Sequence, residues 1–240
     1  MAADRVTQRV DTISFGEAGS MDLHVWTPAI VPAPAVLLVQ EIFGVGPYIR
    51  SVAERLAEAG YLVGAPDIFW RFHPGWVAEA TPEGTQASIG KVAELDVNQA
   101  IDDCGAALTH LAGLDDVEGV PAVLGFCLGG TIAYGVAARF EPSACVSYYG
   151  SGVPALLDQL ASVTCPTLFH FGSADPYIPG ASIEALAEAA AAFPHMAVNV
   201  EIAGHAFDNP APMYHDEAAA RAAWSKTMAF LSQHLPVRSG

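Results

Sequence analysis

The chain has 240 residues, 52% of them hydrophobic, with 26 acidic side chains against 10 Lys and Arg, for a formal charge of −16. That length allows one α/β domain over residues 1–240 with a sizeable core, and the apolar content excludes a disordered chain. The acidic balance and scattered cations exclude nucleic acid as a partner, and the lack of any apolar run of about 18 residues excludes a membrane-spanning helix.

The elements follow in chain order. Val10–Phe15 and Met21–Trp26 read as two strands joined by a Gly-Glu-Ala-Gly turn. Ala35–Gln40 is a continuous apolar run after a Pro-rich lead-in, the pattern of a strand buried on both faces. A helix follows, with Ile49, Val52 and Leu56 on one face, and then a strand over Tyr61–Ala65. The segment from Asp67 to about Thr85 is rich in aromatics, Pro and Gly and reads as a loop. A helical pattern runs from about Gln86 to Ala112, where Val97, Ile101, Cys104, Leu108 and Leu111 share a stripe. Pro121–Leu124, Ala144–Tyr149, Thr167–Phe171 and Ala197–Ile202 are further strands. Helices are expected at Leu128–Arg139, about Ser182–Ala192 and about Asp216–His234. In the last of these Trp224, Met228, Leu231 and Leu235 form one stripe. Strands alternating with helices predict an α/β fold: a mostly parallel central sheet with helices on both faces and an antiparallel N-terminal edge.

The four cysteines, Cys104, Cys127, Cys145 and Cys165, form no C-x-x-C pair, so zinc-ribbon and thioredoxin-like spacings are absent. No histidine has an H-x-x-x-H or H-E-x-x-H partner, so no metal is implied. Cys104, Cys145 and Cys165 lie in apolar segments and read as core thiols. The N-terminus lacks the apolar stretch of a secretory signal, which predicts a cytoplasmic protein.

Cys127 differs from the other three. It stands in Gly125-Phe126-Cys127-Leu128-Gly129-Gly130, between a predicted strand and a predicted helix. This is the nucleophile-elbow pattern G-x-S-x-G with Cys in place of Ser. The nucleophile of such an elbow sits on a sharp strand-to-helix turn that side chains at the flanking positions would crowd, hence the glycines. The helix N-terminus favours a thiolate, and the Leu128 amide would face a developing oxyanion. The pattern alone is weak, but it has partners in the chain order of α/β-hydrolases, nucleophile then acid then base. Asp175 follows the strand Thr167–Phe171, and His205 follows the strand Ala197–Ile202. Both lie at carboxyl ends of strands, where open α/β sheets build their sites. His205 would take the thiol proton and later activate water, while Asp175 would fix the imidazole tautomer. Ser151 and Ser173 also lie near strand ends but lack elbow glycines.

Together these motifs, with Gln40-Glu41-Ile42-Phe43-Gly44-Val45, Tyr148-Tyr149-Gly150 and Gly204-His205-Ala206-Phe207, resemble the dienelactone hydrolase family from about Val10 to Leu235. The resemblance implies that Glu41 sits beside the Cys127 thiol and helps to control its ionisation. It implies an oxyanion hole from the Leu128 and Ile42 amides. It also implies that Arg71 holds a substrate carboxylate, with Phe43 and Tyr149 among the substrate contacts. One position departs from the family. A second carboxylate-binding arginine is expected four residues after the histidine, and Asn209 stands there, preceded by Asp208.

The sequence thus predicts a hydrolase of a small ester or lactone working through a Cys-His-Asp triad and a thioester acyl-enzyme. Its partners would be the small-molecule substrate alone, with no cofactor, as a monomer or weak homodimer. The alternative is a binding protein or redox-active thiol sensor on the same fold.

Overall fold

The computed structural model describes residues 5–237. Its centre is an eight-stranded sheet. The first two strands, β1 (Thr7–Ser14) and β2 (Ser20–Thr27), form the expected hairpin, paired antiparallel from Thr7↔Thr27 to Ser14↔Ser20. The remaining strands are β3 (Ala35–Val39), β4 (Leu62–Pro66), β5 (Ala122–Phe126), β6 (Cys145–Tyr148), β7 (Thr167–Gly172) and β8 (Met196–Glu201). The order across the sheet is β1-β2-β4-β3-β5-β6-β7-β8, with β2 antiparallel to β4 and every pair from β4 to β8 parallel. Every residue of β3 to β7 is buried, as continuous apolar runs require when helices cover both faces. The edge strand β8 has no fully buried residue, and Ala197 and Val200 are exposed.

The α-helices among the described residues are α1 (Pro47–Glu58), α2 (Pro82–Val92), α3 (Val97–Ala112), α4 (Leu128–Phe140), α5 (Gly180–Ala190) and α6 (Glu217–His234). The step from β3 to β4 runs one way across the sheet, and the step from β4 to β5 runs back past β3. Right-handed crossovers therefore put α1 on one face and α3 and α4 on the other. Arg55 of α1 lies 3.7 Å above the Trp224 ring of α6, so those two helices share a face. The chain leaving β3 and the chain leaving β5 diverge to opposite faces. That divergence opens a crevice at their carboxyl ends, the switch point of an open α/β sheet.

Two expectations need correction. The helical pattern from Gln86 to Ala112 is two helices, not one. Asp96 caps α3, its Oδ1 accepting from the amides of Asn98 and Gln99 at 2.9 and 3.2 Å, and the turn before it ends α2. Only α3 buries an apolar stripe, with Ile101, Cys104, Leu108 and Leu111, whereas α2 buries Ser88 alone. The preceding loop also ends early: Thr81 caps α2 by accepting from the Gly84 amide at 3.1 Å, with Pro82 in the first turn. In α6 the buried stripe is Ala219, Ala223, Thr227 and Leu231, with Trp224 and Met228 packing at its margin.

Candidate active site

The turn from β5 to α4 holds Cys127 at φ 53° and ψ −115°, a strained conformation for a residue with a Cβ. The surroundings leave no alternative. A Cβ on Gly125 would fall 2.0 Å from the Gly129 carbonyl oxygen. One on Gly129 would fall 2.3 and 2.4 Å from the carbonyl oxygens of Val39 and Gln40. Those glycines let the elbow close and let the end of β3 lie against the start of α4. Ile42, just past β3, is thereby carried to the crevice lined by Cys127, the residue before Leu128 and the start of α4. Amides in a first helical turn lack intrahelical acceptors, so the Leu128 N–H is available to an oxyanion.

His205 Nε2 lies 3.1 Å from Cys127 Sγ, and its Nδ1 lies 2.6 Å from Asp175 Oδ2. The Asp175 side chain is buried, and its other oxygen accepts from the Tyr177 amide at 2.8 Å. Burial works against a charged imidazole, but the hydrogen bonds to Asp175 and the Cys127 sulfur outweigh it and raise the His205 pKa to about 10. The ring is therefore held protonated against sulfur on one side and carboxylate on the other. Tyr149 and Tyr177 meet it edge-on at 5.2 and 5.0 Å between centroids, which fixes the plane of the imidazole. Of the four non-glycine residues with positive φ among the described residues, Cys127, Tyr149 and Ala206 lie at this site. Such clustering is typical of functional sites.

Glu41 is 2% exposed, and Asn209 Nδ2 donates to its Oε1 at 2.7 Å. Burial raises the Glu41 pKa to about 8; the Asn209 hydrogen bond and the charge of His205 only partly offset it. Nearby, the Tyr48 hydroxyl donates to Asp208 Oδ2 at 2.7 Å and takes the Tyr149 hydroxyl as its second neighbour at 3.3 Å. Burial raises the Asp208 pKa as well, and the Tyr48 bond holds it down in part.

The cleft over Cys127 measures about 160 Å³. Ile42, Phe43, Ile89, Tyr177 and Tyr214 supply most of its wall, and Thr85 joins it through a 3.0 Å hydrogen bond with the Tyr214 hydroxyl. Glu41 and Phe43 also line an adjoining cavity of about 530 Å³. A larger groove of about 690 Å³ has Arg5, Glu54 and Val237 in its wall and is not lined by Cys127.

Of the nine residues singled out in the sequence, Cys127, Asp175, His205, Glu41, Leu128, Ile42 and Phe43 come together here. Two belong elsewhere in role. Arg71 does not line the cleft. Its Nε and Nη2 bind both oxygens of Asp103 at 2.8 and 2.7 Å, and its guanidinium lies 4.2 Å above the Trp70 ring. Tyr149 is fully buried and backs His205 instead of lining the cleft. The remaining cysteines are buried and free. Cys145 and His170 lie on adjacent strands but not beside one another, Cys145 pairing with Thr167 and His170 with Tyr148; the Cys145 thiol faces the Ala133 carbonyl, and His170 lies between Thr227 and Asn199. Burial lowers the His170 pKa to about 3, so it is neutral. Sequence reasoning missed Tyr48, Tyr177, Thr85, Ile89 and Tyr214. Only Tyr177, two residues after the acid, carried any positional signal.

A cysteine on a strand-to-helix elbow, facing a histidine and an aspartate from later strand ends, defines an α/β-hydrolase with a thiol nucleophile. Residues 21–235 match the dienelactone hydrolase family, and the chain belongs to that family. It is 31% identical over 220 residues to a carboxymethylenebutenolidase of Pseudomonas sp. strain P51, covering 91% of this chain and 92% of that one. It is 34% identical over 217 residues to a carboxymethylenebutenolidase of Rhodococcus opacus, covering 85% and 82%. The crystal structure of a protein assigned as a dienelactone hydrolase in Klebsiella pneumoniae superposes with a TM-score of 0.81 at 26% identity, covering 95% and 99% of the two chains. Among the described residues no helix is long and apolar enough to cross a membrane.

Proposed function

We propose that this protein hydrolyses small carboxylic esters or lactones by way of a thioester on Cys127. The observation that carries the reading is the unbroken line from Cys127 Sγ through His205 to Asp175, at 3.1 and 2.6 Å. The sulfur attacks the acyl carbonyl, and the amides of Leu128 and Ile42 take the oxyanion. The leaving oxygen departs with a proton from His205. His205 then draws a proton from water, which attacks the thioester and frees the acid and the thiol. Asp175 keeps Nε2 aimed at the reacting atoms throughout. Glu41, neutral at pH 7, stands beside the sulfur without opposing its charge. Phe43 packs against the bound acyl group.

All of these groups come from one chain, which fits action as a monomer or weak homodimer. Four free thiols, one of them nucleophilic, fit a reducing cytoplasm. No second cysteine lines the cleft to resolve an oxidised Cys127, which disfavours the thiol-sensor alternative. The test is p-nitrophenyl acetate turnover by wild type and Cys127→Ala, with acid-quenched wild type analysed by mass spectrometry. The expected result is an acetyl group on Cys127 and no turnover by the variant. Equal turnover by the two proteins would overturn the proposal.

A further inference from the structure

We propose that the site selects uncharged substrates and turns away esters or lactones bearing a carboxylate, because every cation that could reach the acyl group is committed elsewhere. The inference rests on the hydrolase reading above and specifies its substrate class.

Three observations converge. Neither the cleft over Cys127 nor the cavity that adjoins it at Glu41 and Phe43 has a Lys or Arg in its lining. The ionisable side chains there besides the triad and the tyrosines are Glu41 and Glu79, both acids. Arg71, five residues past the end of β4, gives its planar fork to Asp103, whose side chain is 3% exposed. That carboxylate also accepts from Trp70 Nε1 at 2.9 Å and Gln99 Nε2 at 3.1 Å. Freeing Arg71 for a ligand would leave a buried anion short of its one cation, so a substrate carboxylate competes poorly for it. Finally, Asn209 turns its amide onto Glu41 and so offers a substrate no charge.

The positive charge facing the cleft is the His205 ring, and it is already matched by Asp175 and the Cys127 sulfur within 3.1 Å. An incoming carboxylate would thus lose its water to a wall of Ile42, Phe43, Ile89 and Tyr214, with hydroxyls such as Ser151 but no free cation to compensate. The net charge of −16 opposes its approach as well.

The experiment compares p-nitrophenyl hexanoate with mono-p-nitrophenyl adipate, which share a leaving group and differ by a terminal methyl against a carboxylate. We expect kcat/KM for the adipate to be lower by about 100-fold, with the gap persisting at high salt. Ile89→Arg, at a half-exposed position on the cleft wall, should narrow the ratio tenfold or more by supplying the missing cation. Equal kcat/KM for the two esters in wild type would overturn the inference while leaving the hydrolase reading intact. Cys127-independent turnover, or no turnover of either ester, would remove the hydrolase reading and the inference with it.

Discussion

Glu41→Gln should stabilise this protein, and increasingly so as the pH rises. Glutamine has the shape of the protonated acid, its carbonyl can still accept from Asn209 Nδ2, and it cannot ionise. In the fold the Glu41 carboxyl is driven from an ordinary 4.5 to about 8, mainly by burial. Between those values the unfolded chain has released the proton and the folded chain has kept it. Wild-type stability therefore falls as the pH climbs from about 4.5 and levels off above about 8. At about 1.36 kcal/mol per decade, the full span is worth about 5 kcal/mol. For a chain of this size each kcal/mol moves Tm by roughly 2–4 °C.

The assay is thermal unfolding of wild type and Glu41→Gln at pH 5, 7 and 9. The two Tm values should agree within about 3 °C at pH 5 and separate by roughly 10 °C at pH 9, with the variant higher. His205 also contributes to the wild-type profile. Its raised pKa gives stability that is complete below about 6.5 and lost as pH passes about 10. That loss occurs in both proteins, so the difference between them isolates Glu41. Parallel Tm curves would show that the carboxyl is charged in the folded state at neutral pH, and the reasoning from burial would be wrong.

Other variants separate structure from chemistry. Arg71→Ala should lower stability by about 2–3 kcal/mol, since it strands the buried Asp103, while leaving KM for a neutral ester within about twofold; denaturant unfolding and steady-state kinetics read the two effects. Asp175→Asn should keep the fold and cut kcat/KM by about 10³–10⁴, because the amide no longer enforces the imidazole tautomer that faces sulfur. Gly129→Ala drives a methyl into the carbonyls at the end of β3 and should cost about 1–3 kcal/mol. It should also slow turnover by displacing Leu128 from Ile42, which a comparison of kcat/KM with wild type would detect.

The features legible in the sequence were those fixed by local rules. Continuous apolar runs identify the strands buried on both faces, and the alternation with helices gives the parallel sheet. Gly125 and Gly129 mark the elbow because no side chain fits there, and Asp175 and His205 follow from the order of strand ends. What escaped depends on contacts between distant segments. Arg71 and Asp103 are 32 residues apart, and nothing local says that the loop after β4 lies along α3. The break between α2 and α3 had a local signal, the cap at Asp96, but helix-forming residues on either side concealed it. Tyr48 and Asp208 are 160 residues apart and meet only because α1 and the His205 loop border the same crevice.

Asn209 shows most clearly how a residue read as a loss in the sequence acquires a role in the structure. A cation at that position would hold Glu41 ionised. The amide satisfies one Glu41 oxygen yet brings no charge, so burial decides the balance and the acid stays neutral at pH 7. A neutral Glu41 does not repel electron density building on Cys127 Sγ or on the oxyanion beside it. At Asp208 burial again pushes the pKa up, and the Tyr48 hydroxyl bond, with the more distant charges of Arg55 and His215, holds it down in part. The direct hydrogen-bond donors to Glu41 and Asp208 are thus both neutral. A site arranged in this way has no cation to lend a substrate, so the device that tunes the nucleophile also sets the charge of the substrates it can accept.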